Sequence, residues 1–253
     1  MPTFSNTLTA IALLLITNTV VAAPIPNFTA IYDVTKSGVA LGEMKSTLIT
    51  NQDKGYTYSS ITEPTGIASW FSSEKITESS KGVTKNNQFI PSTYIFTRSG
   101  GKKEVNTEIT FDYKKNTAID KTNDNTIKID IDNSITDRQI VQVLLMNDMI
   151  AGKTKLEYKV INKQEVKPYV FTIVGDEKID TEIGIFKTTA VSRKREGSSR
   201  VTTLWLAHDL YYLPVKIKQT KDGSTKFEMD ITKLTGIKVP KADNSSNTME
   251  PAI

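Results

Sequence analysis

One imidazole, 28 carboxylates and a short run of guanidinium groups are the side chains with chemistry to offer in this 253-residue sequence. The imidazole, His208, stands in Leu206-Ala207-His208-Asp209-Leu210 beside a carboxylate. Such a pair could supply a general base, but the nucleophile it would serve has no motif, because no Gly-x-Ser-x-Gly elbow is present. His208 therefore reads as a turn residue at a strand end. A single histidine and no cysteine exclude two-histidine metal motifs, thiolate metal sites, cysteine nucleophiles and disulfides. The carboxylates could pair for glycoside hydrolysis, yet no local setting marks such a pair. Asp130-x-Asp132-Asn133 and the segment Asp120 to Asn125 lack the glycine and terminal glutamate of a calcium loop. Gly100-Gly101 joins strands rather than opening a helix, so it makes no phosphate loop. No cofactor and no metal are expected.

Two clusters remain. Arg193, Lys194, Arg195 and Arg200 flank Glu196-Gly197-Ser198 at a hairpin tip. Charges there read as a solvated edge that discourages strand-to-strand aggregation. The sharper reading is peripheral contact with phosphate-bearing headgroups at a membrane surface. The second cluster is Ile67, Trp70 and Phe71, in the stretch EPTGIASWF that interrupts a run of strands. Large aromatics mostly serve packing, so the expectation is a short helical plug in the core. The alternative puts these three at the mouth of a cavity, in contact with a ligand. Basic patches with interleaved stacking aromatics are absent, so no nucleic-acid partner is expected.

The elements that must position these residues are mostly strands. Phe28, Ala30, Tyr32 and Val34 alternate with polar or outward neighbours, as do Val105, Thr107, Ile109 and Phe111. Val215 and Ile217, then Phe227, Met229 and Ile231, alternate with charged residues on either side of Lys221-Asp222-Gly223-Ser224. Asp-Gly suits the positive-φ centre of a two-residue hairpin turn. Pro91 should keep its strand, Phe89 to Arg98, near a sheet edge or a strand start. One helix is expected, Ser134 to Ala151, capped by Ser134 with Asp137 three residues on and stopped by Gly152. Its stripe is Ile140, Val141, Leu144, Leu145 and Met149.

Composition agrees with a sheet protein: hydrophobic residues make up 38%, and the formal net charge is only +4. Residues 1–22 read as a signal peptide, with an apolar run from Leu8 to Val21 and small residues after it, although its start carries no Lys or Arg. That places the chain outside the cytoplasm. Residues 23–237 form one mainly β domain, a curved antiparallel sheet or open barrel with its helix near 134–151, and 238–253 read as a disordered tail.

The run Val170 to Glu177, followed by Thr181-Glu182-Ile183-Gly184-Ile185-Phe186, Leu204-Trp205-Leu206-Ala207-His208-Asp209 and Tyr212-Leu213-Pro214-Val215, resembles domain-of-unknown-function family 3108. Glu182 and His208 depart from its usual residues at two turn positions. The resemblance implies an exported protein of the Gram-negative periplasm and transfers no catalytic residue. The Trp205-to-Ile217 hairpin is also similar to strands of periplasmic lipoprotein carriers, which hold acyl chains in an incomplete barrel. It implies a non-catalytic protein binding an amphiphilic or lipid-like ligand. The alternatives are an envelope interaction or structural module with a packed core and, last, a carboxylate-based glycan hydrolase.

Overall fold

A computed structural model describes residues 24–240. The alternation in the sequence becomes alternation in burial: in β1 (Phe28–Lys36), Phe28, Ala30, Tyr32 and Val34 are buried and the residues between them are not. Strands β2 (Val39–Thr50), β3 (Gly55–Glu63), β4 (Lys75–Lys85), β5 (Gln88–Ser99), β6 (Val105–Asp112), β7 (Thr117–Thr122) and β8 (Asn125–Asp130) continue from it as an antiparallel meander. A short β9 (Ile135–Asp137) leads into the helix α1 (Val141–Ile150). A second meander follows, of β10 (Leu156–Asn162), β11 (Glu165–Thr181), β12 (Gly184–Lys194), β13 (Val201–Ala207), β14 (Leu213–Lys221) and β15 (Ser224–Thr235). Pairing of β1 with β15 fuses the two meanders into one 15-stranded sheet, with β8 at one edge and β9 at the other. All its pairings are antiparallel except β9 with β10. The expected hairpin is there: Lys221 pairs with Ser224, and both Asp222 (φ 52°) and Gly223 (φ 74°) are left-handed.

The sheet curls into a cup but does not close into a barrel. Its edge strands are joined by residues 131–134, and side chains rather than a backbone ladder bridge the seam. Asn125 Nδ2 donates to Gln164 Oε1 at 2.9 Å, and the Tyr113 hydroxyl donates to the Ile135 carbonyl at 2.9 Å. All three residues of β9 are buried. This strand has no wet face because it dips inside the curl, where Ile131, Ile135 and Ile161 pack against Tyr94, Ile109, Phe111 and Ala118.

The helix is shorter than the sequence suggests, and Ser134 does not cap it. Residues 135–137 are drawn into parallel pairing with Lys159, Val160 and Ile161. Asp137 instead organises the turn before α1, its Oδ1 accepting the backbone N–H groups of Gln139 at 2.9 Å and Ile140 at 3.0 Å. Ser134 is held in a local turn on Asp132 Oδ1. Buried on several sides, α1 wedges two apolar clusters apart: Val143 and Met146 face one, Val141, Leu145 and Met149 the other.

Pro91 is not at an edge, since β5 lies between β4 and β6. It sits at a register shift opposite Gly82, so a bulge absorbs the missing N–H. Gly82 is required there, because a Cβ would stand 2.0 Å from the Ile90 carbonyl oxygen. The signal segment 1–22 and residues 241–253 of the expected tail lie outside the described residues. The tail's first residues are not free: Val239 packs against the main core beside buried Ile237.

Candidate functional site

Antiparallel order puts the connections after β1, β3, β5, β12 and β14 at one end of the cup, its mouth. The other end is stopped by α1, where Asn147 Nδ2 donates to the Asn87 carbonyl in the β4–β5 turn at 2.7 Å. Between stopper and mouth lies a chamber of about 300 Å³, with Met44, Leu145, Phe171, Leu204, Phe227 and Met229 among its lining residues. Inward positions on eight strands and the N-terminal half of α1 create it.

Polar side chains enter this apolar space at defined points. Glu78 accepts two hydrogen bonds from Arg138, from Nε at 2.6 Å and Nη2 at 2.9 Å, and a third from the Tyr94 hydroxyl at 2.8 Å. The Arg138 guanidinium also covers the Phe96 ring at 4.5 Å. Deeper, Asp137 Oδ2 accepts from the Ser80 hydroxyl at 2.6 Å, and Ser80 meets the Tyr56 hydroxyl at 3.0 Å. Full burial pushes the Asp137 carboxyl up to about 7, with the Ser80 hydrogen bond opposing that rise. Burial likewise raises the phenols of Tyr32, Tyr56 and Tyr58. Sequence reasoning missed Glu78 and Arg138. The available signal was that Glu78 shares the period-two face of Ile76 and Ser80.

The basic cluster divides. Arg193, Arg195 and Arg200 line a vestibule of about 500 Å³ above the chamber, whereas Lys194 points outward and is exposed. Arg193 lies over the Tyr169 ring at 3.8 Å. Arg195 and Arg200 close the β12–β13 turn, the Arg195 N–H donating to the Arg200 carbonyl at 2.9 Å. Arg138, Tyr169 and Arg193 line both the chamber and the vestibule, so the two spaces adjoin. Most of this cluster therefore faces the cup and not open solvent.

The aromatic cluster is no plug. Ile67, Trp70 and Phe71 are 73%, 82% and 84% exposed, and the 3-10 turn Gly66–Trp70 buries nothing. The β3–β4 connection lies at the mouth, while α1 already fills the opposite end. Ile67 and Phe71 border an apolar groove with Val34, Leu41 and Ile76, and Thr62 and Ile76 border the chamber as well. Trp70 stands on the rim outside that lining.

His208 Nε2 meets Thr189 Oγ1 at 2.8 Å, and Thr189 donates to Asp176 Oδ1 at 2.7 Å. The threonine proton is thus committed to Asp176, so His208 donates to Thr189 and does not draw a proton from it. Among the described residues no cluster of three or more His, Asp or Glu could hold a metal ion. No helix among them is long and apolar enough to cross a membrane.

An open sheet coiled around a helix, with a chamber under its mouth, is a β-barrel-like architecture. The chain belongs to the family described as "Protein of unknown function (DUF3108)", whose sequence profile matches residues 27–231. No curated protein matches it in sequence. A β-barrel-like protein of the domain of unknown function DUF1849 from Brucella abortus shares the fold. Its TM-score is 0.54 at 11% identity, over 84% of this chain and 98% of that one. The MucA/MucB complex of Pseudomonas aeruginosa aligns with a TM-score of 0.38 at 11% identity, over 86% of this chain and 54% of the matched chain.

Proposed function

We propose that this is a non-catalytic, exported protein of the Gram-negative periplasm that holds the apolar part of an amphiphilic or lipid-like ligand in its cup. One observation carries the reading: an apolar chamber under an open mouth, walled by the sheet and floored by α1. Export rests on the apolar run of residues 8–21. The candidate acids support a non-catalytic role, since Glu78 is spent on Arg138 and Tyr94, and Asp137 on Ser80 and two backbone N–H groups.

The test is uptake of the uncharged fluorescent probe N-phenyl-1-naphthylamine by protein purified from a periplasm, alongside native and denaturing mass spectra. Saturable uptake is expected, together with a lipid released only on denaturation. Leu204→Trp fills the chamber and should abolish uptake while circular dichroism stays native. No uptake and a clean apo mass would leave the second reading, a docking module. The bare apolar rim of Ile67, Trp70 and Phe71 favours that rival. Trp70→Ala separates the two: lost uptake places a ligand at the mouth, and intact uptake with lost retention by envelope fractions places a partner there.

A further inference from the structure

The vestibule above the chamber is lined by cations that the protein does not neutralise. Of the basic groups there, Arg138 is paired with Glu78 and Lys167 with Glu165 at 2.7 Å. Arg98, in the space that adjoins the vestibule, reaches Glu74 only at 3.8 Å, and its Nε, buried at the atom, has no hydrogen-bond partner. Among the described residues Arg193, Arg195 and Arg200 make no ion pair with any carboxylate. A neighbouring space of about 650 Å³, across the cup from the chamber wall, shares Arg138, Arg195 and Arg200 and adds Arg98, Lys103 and Lys163. The acids facing this region are few. Glu196 is exposed on the turn, and Asp120 has a buried, unpartnered Oδ2 and a pKa raised by burial. Guanidinium groups collected in a partly dry space, with so little counter-charge, are costly unless an anion joins them. Their planar forks suit an oxyanion such as a phosphate or carboxylate.

We infer that the amphiphile is anionic: its phosphate- or carboxylate-type head is clamped by Arg193, Arg195 and Arg200 while its chain enters the adjoining chamber. The inference rests on the chamber reading and adds the charge of the ligand to it. Geometry supports the pairing of head and tail sites. Arg193 lines both spaces, stacked on Tyr169, whose ring also lines both. Stacking holds the guanidinium plane while leaving its donor edges available. Lys194 takes no part, because strand alternation turns it outward.

Isothermal titration of the mature protein with inorganic phosphate, and with dodecyl phosphate and dodecyl maltoside below their micelle concentrations, tests this. Dodecyl phosphate should bind at least about tenfold more tightly than dodecyl maltoside, and salt should erode the difference. In Arg193→Gln/Arg195→Gln/Arg200→Gln the two should become equal. Lys194→Gln should keep the preference. Equal binding of the two dodecyl compounds by the wild type, or a preference that survives the triple substitution, would overturn the inference. So would inorganic phosphate binding as tightly as dodecyl phosphate, which would make the vestibule a free-anion site. Failure of the uncharged probe to enter defeats the chamber reading whatever the phosphate arm returns, so the two failures remain distinguishable.

Discussion

Among the described carboxyls, Asp137 is the one whose ionisation the fold resists most. Its carboxyl is fully buried and raised to about 7, chiefly by desolvation, although Ser80 and two backbone N–H groups surround it. A carboxyl with its folded pKa above its unfolded value holds its proton more tightly when folded. The stability it contributes is full below the unfolded value of 3.8 and is lost as pH rises through about 7. The folded protein should therefore weaken on going from about pH 5 to about pH 8, on this residue's account. Asp137→Asn keeps an acceptor for the two N–H groups and a donor toward Ser80 without the charge. Urea unfolding midpoints should fall over that window in the wild type and stay nearly level in Asp137→Asn. Parallel pH profiles for the two proteins would show that the burial of this carboxyl is not felt. Arg138 beside it illustrates the opposite solution, a half-buried charge kept because Glu78 meets it at two points.

Element by element, what could be read from the sequence was what depends on neighbours in the chain. The Asp222-Gly223 turn and the alternation of β1, β6 and β15 are local, and each stands where the pattern puts it. The start of α1 is not local, since Ile135 to Asp137 leave the helical path for strand partners at Lys159 to Ile161. No spacing near Ser134 reports that pairing. Arg193 and Arg195 alternate with Lys194, which says that they share a face; that the face is interior follows only from the curl of the whole sheet. Trp70 and Phe71 mislead for the same reason: aromatics usually pack, but here their connection falls at the unplugged end. The wedge role of α1 gives a check on that arrangement. Met146 is fully buried against the main cluster, whereas Leu144 is half-buried at its margin. Met146→Ala should cost about 2–5 kcal/mol and Leu144→Ala clearly less, measured by urea denaturation. Equal costs would mean that α1 is rotated about its axis from the position described.

Across the whole molecule, cooperativity should run outward from the β1–β15 junction. Among the described residues that pairing is the sole ladder joining the two meanders, and it lies in the middle of the strand order. At the seam the cup is held by side chains, with Gln164 at the centre. Its Oε1 accepts from Asn125 and its Nε2 donates to the Asn125 carbonyl at 3.3 Å and the Asp120 carbonyl at 3.5 Å. Among the described residues the outward edge of β8 has no strand beside it, and its charged side chains, Lys128 and Asp130, discourage a foreign strand from joining there. Local opening therefore needs less energy at β7–β8 than at β1, β14 or β15. Amide hydrogen exchange should show the least protection in β8 and the most at the β1–β15 junction. Gln164→Ala removes the bridging bonds, so exchange in β7 and β8 should quicken by roughly tenfold, with the junction unchanged. A uniform acceleration across all strands would mean instead that the seam and the junction open together, and that the curl behaves as a closed barrel despite its missing ladder. The local outcome would let the chain of the proposed ligand enter beside Arg193 while β11 to β15 stay folded.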